Sequence, residues 1–427
     1  MTTPLWFTIP ESFDPREFLK SPELSGRMDD ARYFVDLILT KLSRGEDVEG
    51  WVHLAAKYLK KIMHQDTYKD VNTALRDGGA IERSSYKVGG HSFGYRLSER
   101  FAKDRHVRVA ATDRRLIRSL RRFYEARAAK QQTLMKPVHY ALAKLQEQLS
   151  IHGDQAREFL SRNPESNKYD MQGILIAKIE RRDFHTSVGQ YGRVSNNITS
   201  LSKEVRRLLH VEGEPLGCCD ISCCQPALLA RLYELRGKPL CSGEQERKGA
   251  QLRNYDSSLG EHVHYDSSFG DFENDDFVRY RSLAQRGQLY DFMMGEMPGK
   301  NISREKLKKN FMSAVLAKKN QYSSDVEDLF RELFPTVYEF VRVTNKDGKE
   351  HENLIRLLMR AESQFVIETV AADLVTRFPG VFFLTLHDAI YSTAQHLPKI
   401  KEAFDRAFEL TGFPMQLKTL PPSLGDD

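Results

Sequence analysis

A histidine and an aspartate interrupt an apolar run near the end of this chain, at 381–393 (VFFLTLHDAIYST). Val381, Phe382, Phe383 and Leu384 follow Pro379 and Gly380 without a break, the pattern of a strand buried on both faces. Ala389, Ile390 and Tyr391 resume the apolar character, so the stretch predicts a tight hairpin with His387 and Asp388 at its tip. An unpaired polar group buried there costs roughly 2–7 kcal/mol, and a charge costs more. Either the backbone donors of a turn or a bound metal ion offsets that cost, and the stretch alone leaves both open.

A second carboxylate stands in the same kind of place. Residues 215–232 (PLGCCDISCCQPALLARL) read as a strand ending at Asp220, a turn, and a helix begun near Pro226. Four of the chain's five cysteines lie here as CC-x3-CC, and neighbours on a strand point to opposite faces, which makes them poor candidates for one zinc site. Nor is this a disulfide framework in a chain of 427 residues, so a reducing, cytoplasmic setting is expected. The start lacks a basic n-region and no run of 18 apolar residues occurs, so the protein is expected to be soluble, not exported and without a membrane partner.

Between the two acids lies 301–320 (NISREKLKKNFMSAVLAKKN), a helix with Ser303 as its expected cap. Arg304, Lys308, Met312 and Leu316 recur every four residues on one slowly drifting face that runs from cationic to apolar. Such a face suits either an ordinary amphipathic helix or a ligand with an anionic and a flat apolar end, such as a nucleoside triphosphate. A long helix, 354–378, follows with Arg360, Glu362 and Gln364 in an otherwise apolar sequence, then a helix at 398–410 and a closing strand at 415–420.

The net charge of +5 matters only where it clusters. Residues 103–130 hold ten Lys or Arg against three acids. Asp113 caps a predicted helix whose Arg114, Arg118, Arg121 and Arg122 form a basic ridge opposite Leu116, Ile117, Leu120 and Phe123, either a solvated face or a phosphate-backbone contact. Upstream, 32–42 and 51–63 read as helices and 69–98 as loops with a short strand; downstream, 137–151 reads as a helix. Residues 186–209 combine a Gly-Arg step, small polar residues and a helix bearing Arg206 and Arg207, which suits a surface following a sugar-phosphate backbone. A repeat, YDSSLG at Tyr255 and YDSSFG at Tyr265, sits in an acidic segment read as a mobile loop without an EF-hand's ligand order.

Two carboxylates ending strands, a cationic helix between them and arginine-rich segments ahead are the parts that phosphoryl transfer to a hydroxyl needs. The predicted reaction is nucleotidyl transfer. In order and wording these segments resemble the single-subunit polymerases, that is, family A DNA polymerases and the phage-type RNA polymerases. GRVS at 192–195 resembles the end of the T-x-x-G-R-x-S element, DISCCQP from Asp220 resembles motif A, R-x3-K-x3-M at Arg304, Lys308 and Met312 resembles motif B, and LHDA at 386–389 resembles motif C. The resemblance spans about 190–395 and rests on four short motifs in the correct order.

The resemblance implies an α/β (α+β) right-hand fold: a mainly helical, basic N-terminal domain at 1–168, thumb-like or template-binding, and palm and fingers at 169–427, the fingers at about 241–350. It implies that Asp220 and Asp388 bind two Mg²⁺, or Mn²⁺, with the Ile221 carbonyl as a further ligand. Arg304 and Lys308 would hold the triphosphate, Met312 would pack on the incoming base, and Arg193 and Ser195 would touch the duplex, with His387 near the primer terminus. Gln364 would match the family's glutamine on the helix before motif C. Leu316 replaces a tyrosine that checks base pair and sugar. Gln225 stands where DNA polymerases carry the glutamate that excludes a ribose 2′-hydroxyl, and Ala389 replaces the last residue of HDE. The expectation is a compact DNA polymerase from a phage or mobile element, acting on a DNA template and primer with nucleoside triphosphates and without proofreading. An RNA polymerase or primase on the same palm is the alternative, followed by a catalytically silent nucleic-acid-binding protein.

Overall fold

Strand Glu214–Ile221 organises the computed structural model, which describes residues 4–44, 46–63, 67–85, 92–102, 104–162, 169–236, 274–297, 302–318 and 322–422. It lies inside a six-stranded antiparallel sheet, pairing with Ala389–Thr393, Leu417–Leu420 and Leu209–Val211. Leu384–Leu386 extends the sheet beyond Ala389–Thr393, and Ser150–Ile151 extends it beyond Leu209–Val211. Five of the eight residues of Glu214–Ile221 are buried because both faces are covered. Cys219 and Ile221 enter the largest core with Ile390, Phe404 and Phe365, while Leu216, on the alternate face, joins Leu384, Leu386 and Leu209. The four cysteines described are free and buried core residues, and burial pushes the Cys218 thiol up to about 11.

The helices around this sheet follow the sequence closely. Cys224–Arg236 leaves the central strand, Leu397–Thr411 packs beneath it, and Arg304–Asn310 begins at Ser303, whose Oγ accepts from the Lys306 N–H at 3.3 Å. Two helices depart from α geometry. Arg304–Asn310 continues as a π-helical segment at Phe311–Leu316, and Asn353–Ser363 continues as another at Gln364–Ala371. Val381, Phe382 and Phe383 are buried as predicted, but the strand proper is Leu384–Leu386.

The N-terminal region adds strands to its helices, which still hold most of its regular structure. Trp6–Pro10 pairs with His106–Ala110, and Asp47–Val48, Trp51–His53, Gly94–Leu97 and Ile81–Arg83 form a four-stranded sheet. A helix over 51–63 therefore gives way to a strand and the helix Ala56–Ile62. In so short an apolar run the helical and extended periods are not distinguishable, and the aromatic and β-branched Trp51 and Val52 favour the sheet. Thr67–Asp77, read as loop, is a helix. These elements enclose a separate core of Phe34, Ile38, Val52, Leu75, Phe101 and Leu120, into which Ile174 projects from helix Tyr169–Glu180.

Helix Arg114–Gln132 is capped as predicted, with the Asp113 carboxylate accepting from the Leu116 N–H at 2.8 Å. The expected boundary near 168 falls outside the described residues. Helix Pro137–Gln146 and strand Ser150–Ile151, which precede it, pack in the C-terminal cores. Both copies of the acidic repeat also lie outside the described residues.

Candidate active site

Leu386 and Ala389 pair across the hairpin, so His387 and Asp388 form a two-residue loop. His387 takes the positive φ of +55° that such a loop requires of its first residue. Ala389 in turn pairs with Asp220 on the neighbouring strand, and the Ile221 N–H donates to the Asp388 carbonyl at 3.3 Å. This register puts the two carboxylates next to each other at one end of the sheet, although 167 residues separate them in sequence. Gly287 closes the far side of the motif. With φ at +69°, its missing side chain leaves room for Ser222, whose Cβ would sit 2.5 Å from any added methyl.

Both acids are pushed up to about 6. Burial is the main cause for Asp220, followed by the charge of Asp388; burial again leads for Asp388, followed by the charge of Glu362. Lys308 works against both shifts. The Lys308 ammonium therefore acts on the pair across a gap, as an exposed side chain on helix Arg304–Asn310. His387 is held down to about 4, by desolvation in the cleft walls and then by Arg193, Arg206 and Lys308, so its ring is neutral at physiological pH although its edge meets solvent.

Sequence reasoning noted Glu362 but gave it no role, and the structure makes it a junction. Its carboxylate is almost fully buried on helix Asn353–Ser363 and accepts at Oε2 from Arg193 Nη2 at 2.8 Å and from Gln225 Nε2 at 2.7 Å. Arg193 comes from the hairpin Thr186–Val188 to Val194–Asn196, whose Gly192, at φ +79°, brings the backbone against Ser363. The available signal was one acid in an otherwise apolar helix, which demands a partner.

The other candidates divide. Lys308 and Met312 line a groove of about 570 Å³ with Glu305, Ala317 and Ile355, cationic at one end and apolar at the other. Arg304 lies back on the surface, donating to Asp291 Oδ1 at 3.0 Å with its guanidinium 5.6 Å from the centre of the Tyr290 ring. Leu316 corrects its assignment to the nucleotide groove. It is fully buried in the main core, because the π-helical turn winds the helix face away from the groove. Gln225 is tied to Glu362, leaving its Oε1 buried without a partner.

Arg206 turns inward, its Nη1 donating to the Leu201 carbonyl at 2.6 Å, and Arg207 is exposed. Gln364 is half-buried and makes no side-chain hydrogen bond among the described residues. Ser195, with His387 and Arg193, lines a cleft against the N-terminal unit, whereas Arg114, Arg118, Arg121 and Arg122 line no part of it.

Among the described residues no group of three or more His, Cys, Asp or Glu is arranged to hold a metal ion. The pair Asp220 and Asp388 is a smaller, oxygen-only donor set whose mutual repulsion a hard divalent cation would relieve. Two carboxylates with water and phosphate oxygens completing the shell is the habit of Mg²⁺, so the residues present fit that ion. No described helix is long and apolar enough to cross a membrane.

No protein-family model matches this chain, and no curated protein matches it. Among solved structures it is similar to the POL domain of Pol1 from M. smegmatis, in complex with DNA primer-template and dNTP, at 13% identity and a TM-score of 0.30, over 62% of this chain and 55% of that one. The chain thus spans little more than half the length of that structure's chain. At that similarity the likeness carries no argument for function.

Proposed function

We propose that this chain is a template-directed nucleotidyltransferase, a DNA polymerase of family A type that lacks proofreading and works with two metal ions. One observation carries the reading: Asp220 and Asp388, each ending an apolar segment, meet at the end of adjacent strands, where burial raises both and the charge of Asp388 adds to the rise of Asp220. The four motifs that resemble the single-subunit polymerases supply the parts around them.

In this reading Asp220 and Asp388, with the Ile221 carbonyl, hold two Mg²⁺ or Mn²⁺. When bound, such ions activate the attacking hydroxyl and stabilise the leaving oxygen. The chain's own residues prepare that step. Lys308 offers an ammonium to the triphosphate, and Met312 presents an apolar edge to the base in the groove it shares with Ile355. His387, neutral at physiological pH, meets the strand end by hydrogen bonding rather than by charge. Glu362 holds Arg193 at the mouth of the cleft and keeps Gln225 in place.

A second reading, ribonucleotide synthesis on the same palm, is favoured by Gln225. Its amide N–H points at Glu362, which leaves Oε1 as a buried acceptor for a sugar hydroxyl. Extension of a labelled primer-template, and unprimed synthesis, with dNTPs or rNTPs in Mg²⁺ or Mn²⁺ separates the two. Asp220→Asn and Asp388→Asn each abolish product under the polymerase reading. Incorporation of neither nucleotide by the parent protein rules out both.

A further inference from the structure

His387 and Arg193 open onto a cleft of about 1050 Å³ between the palm sheet and the N-terminal unit. Arg44, Tyr58, Tyr124 and Arg127 form its outer wall, and Tyr140 lies on the inner one. Among the described residues that line it, Lys41, Arg44, Arg127 and Arg193 face a single acid, Glu46. Arg193 is committed to Glu362, but Arg127 is exposed and makes no ion pair among the described residues, and Arg44 reaches Glu46 only at 4.0 Å. An unbalanced cationic cleft selects an anionic ligand.

Two tyrosines give the cleft a second chemistry. Tyr124 is 44% exposed and Tyr140 51%, more than side chains of this size need in a packed wall. Aromatic faces interleaved with cations are the recognition surface of single-stranded polynucleotides, where bases stack and phosphates pair. The width is fixed. Gln131 bridges the two walls, accepting from the Val188 N–H at 2.9 Å and donating to its carbonyl at 3.3 Å, and Lys136 pairs with Glu368 at 2.6 Å. The volume is that of a large small-molecule pocket, about 300–1,000 Å³.

We propose that this cleft binds a short unpaired stretch of polynucleotide, with bases on Tyr124 and Tyr140 and phosphates on Arg44 and Arg127, and presents its end to His387. The inference deepens the polymerase reading and rests on it for what the strand is used for, but binding is measured without synthesis. The basic ridge of Arg114, Arg118 and Arg122 lies outside this path.

Fluorescence anisotropy on the full chain, with a labelled single-stranded oligodeoxynucleotide, its RNA counterpart and the matching blunt duplex, tests it. Tyr124→Ala weakens single-strand binding by roughly ten-fold, whereas Tyr124→Phe, which keeps the ring, restores it. Arg127→Ala weakens it and flattens the dependence of log K on log salt by about one unit. The stronger of the DNA and RNA arms identifies the strand. Single-strand affinity that is unchanged in both Tyr124→Ala and Arg127→Ala, or a blunt duplex bound as tightly with the same dependence on these residues, overturns the proposal. If the parent protein extends no primer yet loses single-strand binding on Tyr124→Ala, the polymerase reading falls and the cleft stands.

Discussion

Asp388 feels Asp220 from the next strand, Glu362 from one helix, Lys308 from another and Arg193 from a hairpin. Its protonation midpoint, about 6, lies above the ordinary 3.8, so the folded state gains from the proton. That gain is complete below the ordinary value and is lost as pH rises through the folded one. Asp388→Asn should therefore raise the melting temperature at pH 7.5 by the equivalent of about 1–3 kcal/mol, and the difference should vanish at pH 3.5; a melting temperature unchanged or lowered at pH 7.5 contradicts the account. Glu362→Gln removes a neighbouring negative charge, which lowers the Asp388 midpoint. Under the proposed function, the acid limb of the synthesis pH profile then moves to lower pH relative to the parent. A limb that stays in place means that Glu362 does not act on the pair. At this scale the acids were legible because each ends an apolar run. The junction at Glu362 was not, because its partners lie 169 and 137 positions away and no local pattern links them.

Elements differed in how openly they declared themselves. Caps at Asp113 and Ser303 carry their own chemistry, a short side chain aimed at free N–H groups, and both were read correctly from sequence. Strand Trp51–His53 was hidden because three residues carry too little period, and only pairing with Gly94–Leu97 decides its state. The π-helical turns were hidden for another reason: a four-residue spacing assumes α winding throughout, and Phe311–Leu316 breaks that assumption at the one place where the face was meant to continue. Placing there the tyrosine that the resembled polymerases carry fails on geometry. Leu316→Tyr inserts a larger, polar-tipped ring into a fully buried site and should lower the urea midpoint by the equivalent of about 1–3 kcal/mol. A variant as stable as the parent indicates that the helix face does reach the groove.

For the molecule as a whole, the sequence pointed to an α/β (α+β) chain and to the hairpin at 381–393, but not to the six-stranded antiparallel sheet around it, the sheets of the N-terminal unit or the cleft between the two parts. Clefts arise from tertiary placement, and Tyr58, Tyr124 and Tyr140 have no shared motif to announce them. The pairing of Asp220 with Ala389 has a kinetic consequence. Segments so distant in sequence meet late, after the loop between them has been closed at an entropic cost. The two carboxylates therefore do not repel each other until the sheet is assembled, and their repulsion is felt by the native state more than by the barrier leading to it. Relieving it should act on escape from the native state. Asp388→Asn should slow unfolding severalfold in stopped-flow denaturant jumps at pH 7.5 while leaving the refolding rate nearly unchanged. An effect confined to refolding would put the acid pair together early. The same charges that would draw a metal ion under the proposed function thus set how long the protein holds its shape.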